Sequence, residues 1–294
     1  MELNGVIVIN KPQDMTSHDV VAILRKKLKT KKVGHTGTLD PMATGVLPVC
    51  IGRATKLVDF LMDQKKGYRC EMVLGIETDT QDRWGTPINR CDGFDVSEAQ
   101  ILSVIQSFIG EIDQIPPMYS ALKVGGEKLV DLARKGIVIE REARKRVIYS
   151  ITDIAVRHHT ISFDVSCSKG TYIRTLCHDI GLKLGCFGHM TKLERIYTEP
   201  FVIDQAVTLE QLTLENAAEY MIDVETAISY MPMININGNE ALIRAVSNGH
   251  RINFARDSNL TLDAPFYRLY INQVFWGIGE RSPEGLFMKK VFKD

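Results

Sequence analysis

Short apolar blocks, several of them alternating with polar residues, dominate the first two-thirds of the chain. Gly5-Val6-Ile7-Val8-Ile9-Asn10 predicts a buried strand that stops at Lys11-Pro12. Thr16-Ser17-His18-Asp19 has the pattern of a capping box and predicts a helix from Val20 to Leu28. Val46-Leu47-Pro48-Val49-Cys50-Ile51 reads as a second buried strand, Ala54 to Met62 as a short amphipathic helix, and Tyr68 to Leu74 as an alternating strand. Ser97 opens a capped helix that runs to Phe108 and stops at Gly110. Pro116 to Lys123 is extended, Gly125-Gly126 turns the chain, and Glu127 to Lys135 forms a short helix ended by Gly136. Two strands fill Val147 to Cys167. In the second, Ile161, Phe163, Val165 and Cys167 share one face, while Ser162, Asp164 and Ser166 share the other. Thr171 to Leu184 predicts a helix capped by Thr171 and closed by Gly185.

Helices and strands mix here without a βαβ repeat. The fold class is therefore α+β, with a mixed, largely antiparallel central sheet and flanking helices. The texture changes near residue 232. Pro232-Met233 leads into a short helix ending near Asn248-Gly249, and only short strands follow, punctuated by Gly277, Gly279 and Gly285. This predicts a large domain over 1–231 and a small β-rich domain over 232–294, which is viable when packed on a neighbour.

Hydrophobic residues make up 45% of the chain and charged residues 24%, an ordinary soluble composition. No apolar run reaches the ~18 residues of a membrane span. Met1-Glu2-Leu3-Asn4-Gly5 shows no secretory leader, so no membrane and a cytoplasmic location are expected. The six cysteines form no C-x-x-C pair and read as reduced thiols. His158-His159 fall on a strand pattern that would point them to opposite faces, and no metal site is expected. The 36 basic and 36 acidic residues balance to zero but are segregated. Arg25, Lys26, Lys27, Lys29, Lys31 and Lys32 cluster, as do Arg141, Arg144, Lys145 and Arg146. Between Ile196 and Ile243 there are eight acidic residues and no Lys or Arg. A basic run is usually a solvated helix face. Two runs flanking structured loops instead suggest an anion-binding face, with the acidic stretch turned away from it.

Chemistry concentrates in two islands. Gly34-His35-Thr36-Gly37-Thr38-Leu39-Asp40-Pro41 places one carboxylate between a glycine-rich turn and a proline that biases Asp40 away from helix. Taken alone, Asp40 reads as a turn residue bonding its own backbone. Ser168-Lys169-Gly170-Thr171-Tyr172-Ile173-Arg174 joins a strand to a helix and sets Tyr172 and Arg174 in the first helical turn. Arg174 is either a surface ion pair or the partner of a loop carboxylate, which it would orient while opposing the cost of burying its charge.

Together, Asn10-Lys11-Pro12, the loop 34–45, the segment 116–136 and the island 168–176 resemble the TruB family of bacterial tRNA pseudouridine synthases, in order, across roughly residues 5–200. The resemblance implies the pseudouridine synthase fold with a PUA-like RNA-binding module at 232–294. It also implies isomerisation of uridine 55 in the tRNA T-loop without cofactor or metal. It makes Asp40 the obligatory catalytic residue. His35 would hold the T-loop open, Tyr68 and Tyr172 would contact substrate, Arg174 would pair with Asp40, and Leu193 would wall the pocket. Lys11 would contact phosphate or simply occupy the turn before Pro12. Residues 116–146 resemble a mobile insertion that closes over the T-arm, with Val130 where an aromatic is common.

The expected partner is the tRNA T-arm, and the expected state is a monomer. A non-catalytic tRNA-binding or folding protein on the same fold is the alternative. It would have no need for Asp40, Tyr68, Tyr172 and Arg174 together. A hydrolase using Asp40 is a third reading, but no second acid pairs with Asp40 in an acid/base motif.

Overall fold

The computed structural model describes residues 3–250, 252–254 and 262–293. The chain opens with β1 (Gly5–Lys11) and α1 (Ser17–Lys27). The capping box closes as expected, with the Thr16 hydroxyl accepting the Asp19 N–H and the Asp19 carboxylate accepting the Thr16 N–H. β2 (Val33–His35) leads into the Asp40 loop, and β3 (Thr44–Ile51) leaves it. A 3₁₀ turn over Gly52–Leu57 precedes the short α2 (Val58–Met62), so the helix expected over 54–62 is split. β4 (Lys66–Leu74) is followed by the ribbon of β5 (Ile76–Thr78) and β6 (Pro87–Arg90), and then by α3 (Glu98–Gln106).

Gly110 does not merely stop that helix. It begins β7 (Gly110–Gln114). The insertion carries a small hairpin, β8 (Lys123–Val124) and β9 (Glu127–Lys128), and α4 (Leu129–Arg134). β10 (Arg144–Arg157) and β11 (Thr160–Cys167) form a hairpin. His158-His159 are its turn, with His158 at φ +55°, so the strand placement expected for them is wrong. A hairpin this tight needs a left-handed residue, and histidine tolerates that conformation better than a β-branched residue would. α5 (Ile173–Lys183), β12 (Gly188–Thr198) and β13 (Phe201–Val202) complete the first sheet.

That sheet runs β1-β3-β12-β4-β11-β10-β7, with β2 on β3 and β13 on β12, and only the β3/β12 pairing is parallel. This parallel pairing positions the site. β3 and β12 meet at Glu194 opposite Thr44 and Arg195 opposite Gly45. Beyond that point Met190 is bridged by Asp82 instead. The two halves of the sheet therefore part at β12, and the loop before β3 and the loop after β5 both come to the split. Gly45, at φ +99°, makes the junction feasible, because a Cβ there would lie 2.3 Å from the Arg195 carbonyl oxygen.

Each half has its own core. Tyr68, Cys70, Met72, Phe163, Val165, Leu176 and Leu193 pack under α5, while Ile7, Ile9, Leu24, Leu47 and Val49 pack under α1. The acidic segment after β13 crosses the outer edge of β1 through Val207 and Ile222 and carries α6 (Val224–Ala227). The final sheet runs β14 (Met233–Ile236), β15 (Phe266–Ile271), β16 (Val274–Ser282) and β17 (Gly285–Val291), with α7 (Glu240–Ser247) after its first strand. Its Phe266 ring meets Phe60 edge-on at 5.0 Å, joining it to the larger body. No helix among the described residues is long and apolar enough to cross a membrane.

Candidate active site

The centre of the split is an ion-pair chain. Arg174 Nη2 lies 3.3 Å from Asp40 Oδ1, and Arg174 Nη1 lies 3.8 Å from Asp82 Oδ2. The Arg174 side chain is only 6% exposed, Asp82 8% and Asp40 33%, so the guanidinium is buried between a buried carboxylate and one that reaches solvent. Nη2 also donates to the Tyr119 carbonyl at 2.7 Å, which ties the start of the insertion to the site. Arg174 stands in the first turn of α5, as its position in the second island suggested, but the cap differs. Tyr172 is the N-cap residue, and Thr171 instead donates its hydroxyl to the Ser168 carbonyl. No side chain of the helix caps it. Gln114 on β7 takes that role by accepting the Tyr172 N–H and donating to its carbonyl. The Tyr172 ring lies 5.8 Å from the Arg174 guanidinium carbon.

The Asp40 loop is held from beneath by two buried cations. Lys11 is fully buried, and Nζ donates to the carbonyls of Pro12, Met15 and Pro41. Burial pulls its pKa down to about 8, with Asp40 and Asp14 opposing that fall. Of the two expectations for Lys11, a phosphate contact or a turn residue, this enclosure favours the second. Its ammonium organises backbone around Asp40. Lys11→Met would remove the ammonium from the Pro12 and Met15 carbonyls, while the Pro41 carbonyl keeps the Asp14 N–H at 2.9 Å, and should lower stability by roughly 1–3 kcal/mol, read from denaturant unfolding. An unchanged midpoint would mean that those carbonyls rebond to water.

Arg195, 1% exposed, is the second cation. Its Nε donates to the Val46 carbonyl at 2.7 Å and its Nη2 to the Gly37 carbonyl at 3.3 Å. Ser17 adds a third brace, since its hydroxyl accepts the Leu39 N–H at 2.9 Å.

Tyr68 is buried on β4, and its register partner on β12 is Arg195. Burial pushes its hydroxyl up to about 12, against the pull of Arg195, so the phenol is neutral at physiological pH. Leu193, also buried, pairs with Cys70 two residues along and belongs to the same apolar cluster as Tyr68, Leu39 and Met42. His35, at the end of β2, is half-buried, and its ring meets His18 edge-on at 5.2 Å. Its Nδ1 accepts the Gly37 N–H, which assigns the ring proton to Nε2. Burial first, then the charges of His18 and Arg195, lower its pKa to about 4. His35 is therefore a neutral ring at pH 7, suited to stacking or donating rather than to pairing with phosphate.

The structure thus brings Asp40, Arg174 and Tyr172 into one contacting group, with Tyr68 and Leu193 on the adjoining sheet and Lys11 below. His35 stands at the opposite end of the Asp40 loop. Asp82, Arg195 and Gln114 were missed by sequence reasoning. Arg195 was the most findable, because it lies two residues from Leu193 on a strand and so takes the same buried face. Asp82 sits in an evidently polar loop, and nothing local marks it as an arginine partner. Among the described residues, no cluster of three or more His, Cys, Asp or Glu is placed to hold a metal ion.

The first basic cluster occupies the last turn of α1 and the link into β2. In the second, Arg146 donates to the Gly170 carbonyl beside the start of α5, and Lys145 pairs with Glu111.

Residues 25–173 match the N-terminal domain of TruB family pseudouridylate synthases, and residues 174–231 match the tRNA pseudouridylate synthase B C-terminal domain. The chain is 47% identical over 289 residues to tRNA pseudouridine synthase B of Clostridium tetani, covering 98% of this chain and 99% of that one. It is 46% identical over 291 residues to the protein of the same name from Clostridium kluyveri, covering 99% and 100%. Among solved structures, a Cbf5-Nop10-Gar1 complex aligns with a TM-score of 0.75 at 29% identity, over 98% of this chain and 85% of that one. An H/ACA RNP bound to a substrate RNA containing 2'-deoxyuridine aligns with a TM-score of 0.72 at 26% identity, over 99% and 85%. With both domain models matched in turn, relatives 46–47% identical along nearly its whole length and a shared overall fold, the chain belongs to the TruB family of pseudouridylate synthases.

Proposed function

We propose that the chain isomerises uridine 55 in the T-loop of tRNA to pseudouridine, as a cytoplasmic, cofactor-independent monomer. The observation that carries the reading is the Arg174–Asp40 pair at 3.3 Å, set in the split of the sheet with Tyr68 and Leu193 beside it. The names of the relatives support tRNA as the substrate. A non-catalytic tRNA binder would gain nothing from a buried arginine aimed at a partly exposed carboxylate.

The reaction breaks the N1–C1′ bond, turns the uracil and joins C5 to C1′; C5 gives up its proton and the freed N1 takes one up, so the product is an isomer of the substrate. Asp40 either attacks the sugar carbon or removes a sugar proton and returns it. Arg174 fixes the carboxylate in one orientation, and Asp82 holds the far side of the guanidinium so that it does not swing to another acceptor. The target nucleotide has to leave its stack, at a few kcal/mol. Stacking on the Tyr68 ring repays roughly 1–3 kcal/mol of that. With its hydroxyl held neutral, Tyr68 offers a weakly basic oxygen or a hydrogen-bond donor to the turned base, not a phenolate. Leu193 keeps the wall of the pocket dry, and the neutral ring of His35 fills space that the everted base leaves.

In this reading residues 1–231 form the catalytic domain, 116–146 clamp the T-arm, and 232–294 form a PUA-like RNA-binding module. The basic runs at 25–32 and 141–146 hold phosphates, so affinity falls with salt. The test is release of tritium from [5-³H]uridine in an unmodified T-arm stem-loop, followed by mapping of the modified position. Conversion confined to position 55 is expected. RNA that binds but stays unaltered would establish the binder instead.

A further inference from the structure

Of the two tryptophans, Trp276 is buried in the C-terminal sheet, whereas Trp84 is 49% exposed in the loop between β5 and β6. We propose that Trp84 is a stacking platform for an unpaired base of the bound RNA, an inference that rests on the RNA-isomerase reading above.

A single exposed aromatic is ordinary by itself. The construction of this loop is what sets it apart. Asp82 Oδ1 accepts the Trp84 N–H at 3.0 Å and the Thr80 hydroxyl at 2.7 Å. The Asp82 carbonyl accepts the Thr78 hydroxyl at 2.7 Å and the Gly85 N–H at 3.1 Å. Gly85 is demanded by the fold of the loop, since a Cβ there would lie 2.4 Å from the Thr80 hydroxyl oxygen. The loop is also fastened to its surroundings. Gln81 Oε1 accepts the Thr175 hydroxyl of α5 at 2.7 Å, and the Arg83 N–H donates to the Met190 carbonyl of β12 at 2.9 Å. An indole presented on so braced a loop surrenders little conformational freedom when a base lies on it.

Its location supplies the ligand. Asp82, two residues earlier, is the carboxylate that backs Arg174, and Met190, which Asp82 bridges, lies three residues before Leu193 on β12. Trp84 therefore stands at the outer end of the same chain of contacts that ends at Asp40. Arg83 beside it is exposed and suits an anionic backbone, as does exposed Arg90 at the far end of the same ribbon. An exposed indole next to Arg83, on a loop that reaches a site proposed to evert a base, matches the physics of single-stranded nucleic-acid binding.

The experiment uses acrylamide quenching of tryptophan emission, with and without saturating unmodified T-arm RNA, and Trp84→Ala as the blank for the buried Trp276. RNA should protect the Trp84 emission severalfold. Trp84→Ala should weaken RNA binding about tenfold, and Trp84→Phe should stay within about threefold of the parent. RNA that binds and is isomerised while Trp84 remains equally open to acrylamide, or while Trp84→Ala binds as before, overturns the platform and leaves the functional reading standing. If the unaltered chain neither binds nor modifies the RNA, both fall together.

Discussion

Asp40→Asn should reduce pseudouridine formation by at least about 10⁴-fold while T-arm RNA still binds within about threefold of the parent affinity. The amide matches the carboxylate in shape and keeps an oxygen to accept from Arg174 Nη2 at the 3.3 Å separation seen here. It can neither attack a sugar carbon nor take up and return a proton, so both routes open to Asp40 close at once. The expected loss is more than about 5 kcal/mol of transition-state stabilisation at 1.36 kcal/mol per decade. Folding should be nearly unaffected, because Lys11, Ser17 and Arg195 brace the loop through its backbone and do not depend on the Asp40 side chain. The measurement is single-turnover tritium release beside filter binding. A variant within tenfold of the parent rate would show that another group starts the reaction. Loss of binding in a folded variant would make Asp40 a recognition residue.

Much of this architecture is legible in the chain because local physics writes it there. The capping boxes at Thr16 and Ser97 form as the sequence implies, and the alternation from Ile161 to Cys167 is the buried face of β11. What escapes is long-range. β12 crosses the middle of the sheet, yet Gly188–Thr198 reads as mixed polar residues, and bulges against β4 at Met190/Lys192 and Arg195/Tyr197 break its alternation. β2 and β7 are short edge pieces whose pairing is decided by partners distant in sequence. The same holds at the site. Asp40, Arg174 and Tyr172 stand in two recognisable islands, so their meeting can be guessed. Asp82, Gln114 and Arg195 earn their roles only from where the split brings them, and an aspartate in a polar loop carries no local mark of that. Thr171 illustrates the limit on a small scale. Its chemistry suits a cap, but Gln114, 58 residues away from Tyr172, does the work instead.

Arg174→Ala should be the most damaging change away from Asp40 itself, and it should damage two properties at once. Removing the guanidinium strands Asp82, 8% exposed, and Asp40 without their shared cation, and frees the Tyr119 carbonyl that anchors the insertion. Breaking a buried pair from one side typically loses about 3–5 kcal/mol of stability. Activity should fall at least about 10³-fold, because Asp40 loses both its orientation and its countercharge. Arg174→Lys separates the two effects. An ammonium restores a positive charge and part of the stability, yet a point donor cannot reach Asp82, Asp40 and the Tyr119 carbonyl in the fan that one guanidinium spans. Lysine should therefore recover folding more than turnover. Asp82→Asn supplies the complementary arm. If Asp82 only backs the arginine, the double variant Arg174→Ala with Asp82→Asn should be more stable than Arg174→Ala alone, since a stranded buried carboxylate has been neutralised, while its activity stays low. Were Arg174→Lys fully active, or were the double variant no more stable than the single one, the ion-pair chain would not be what orders this site.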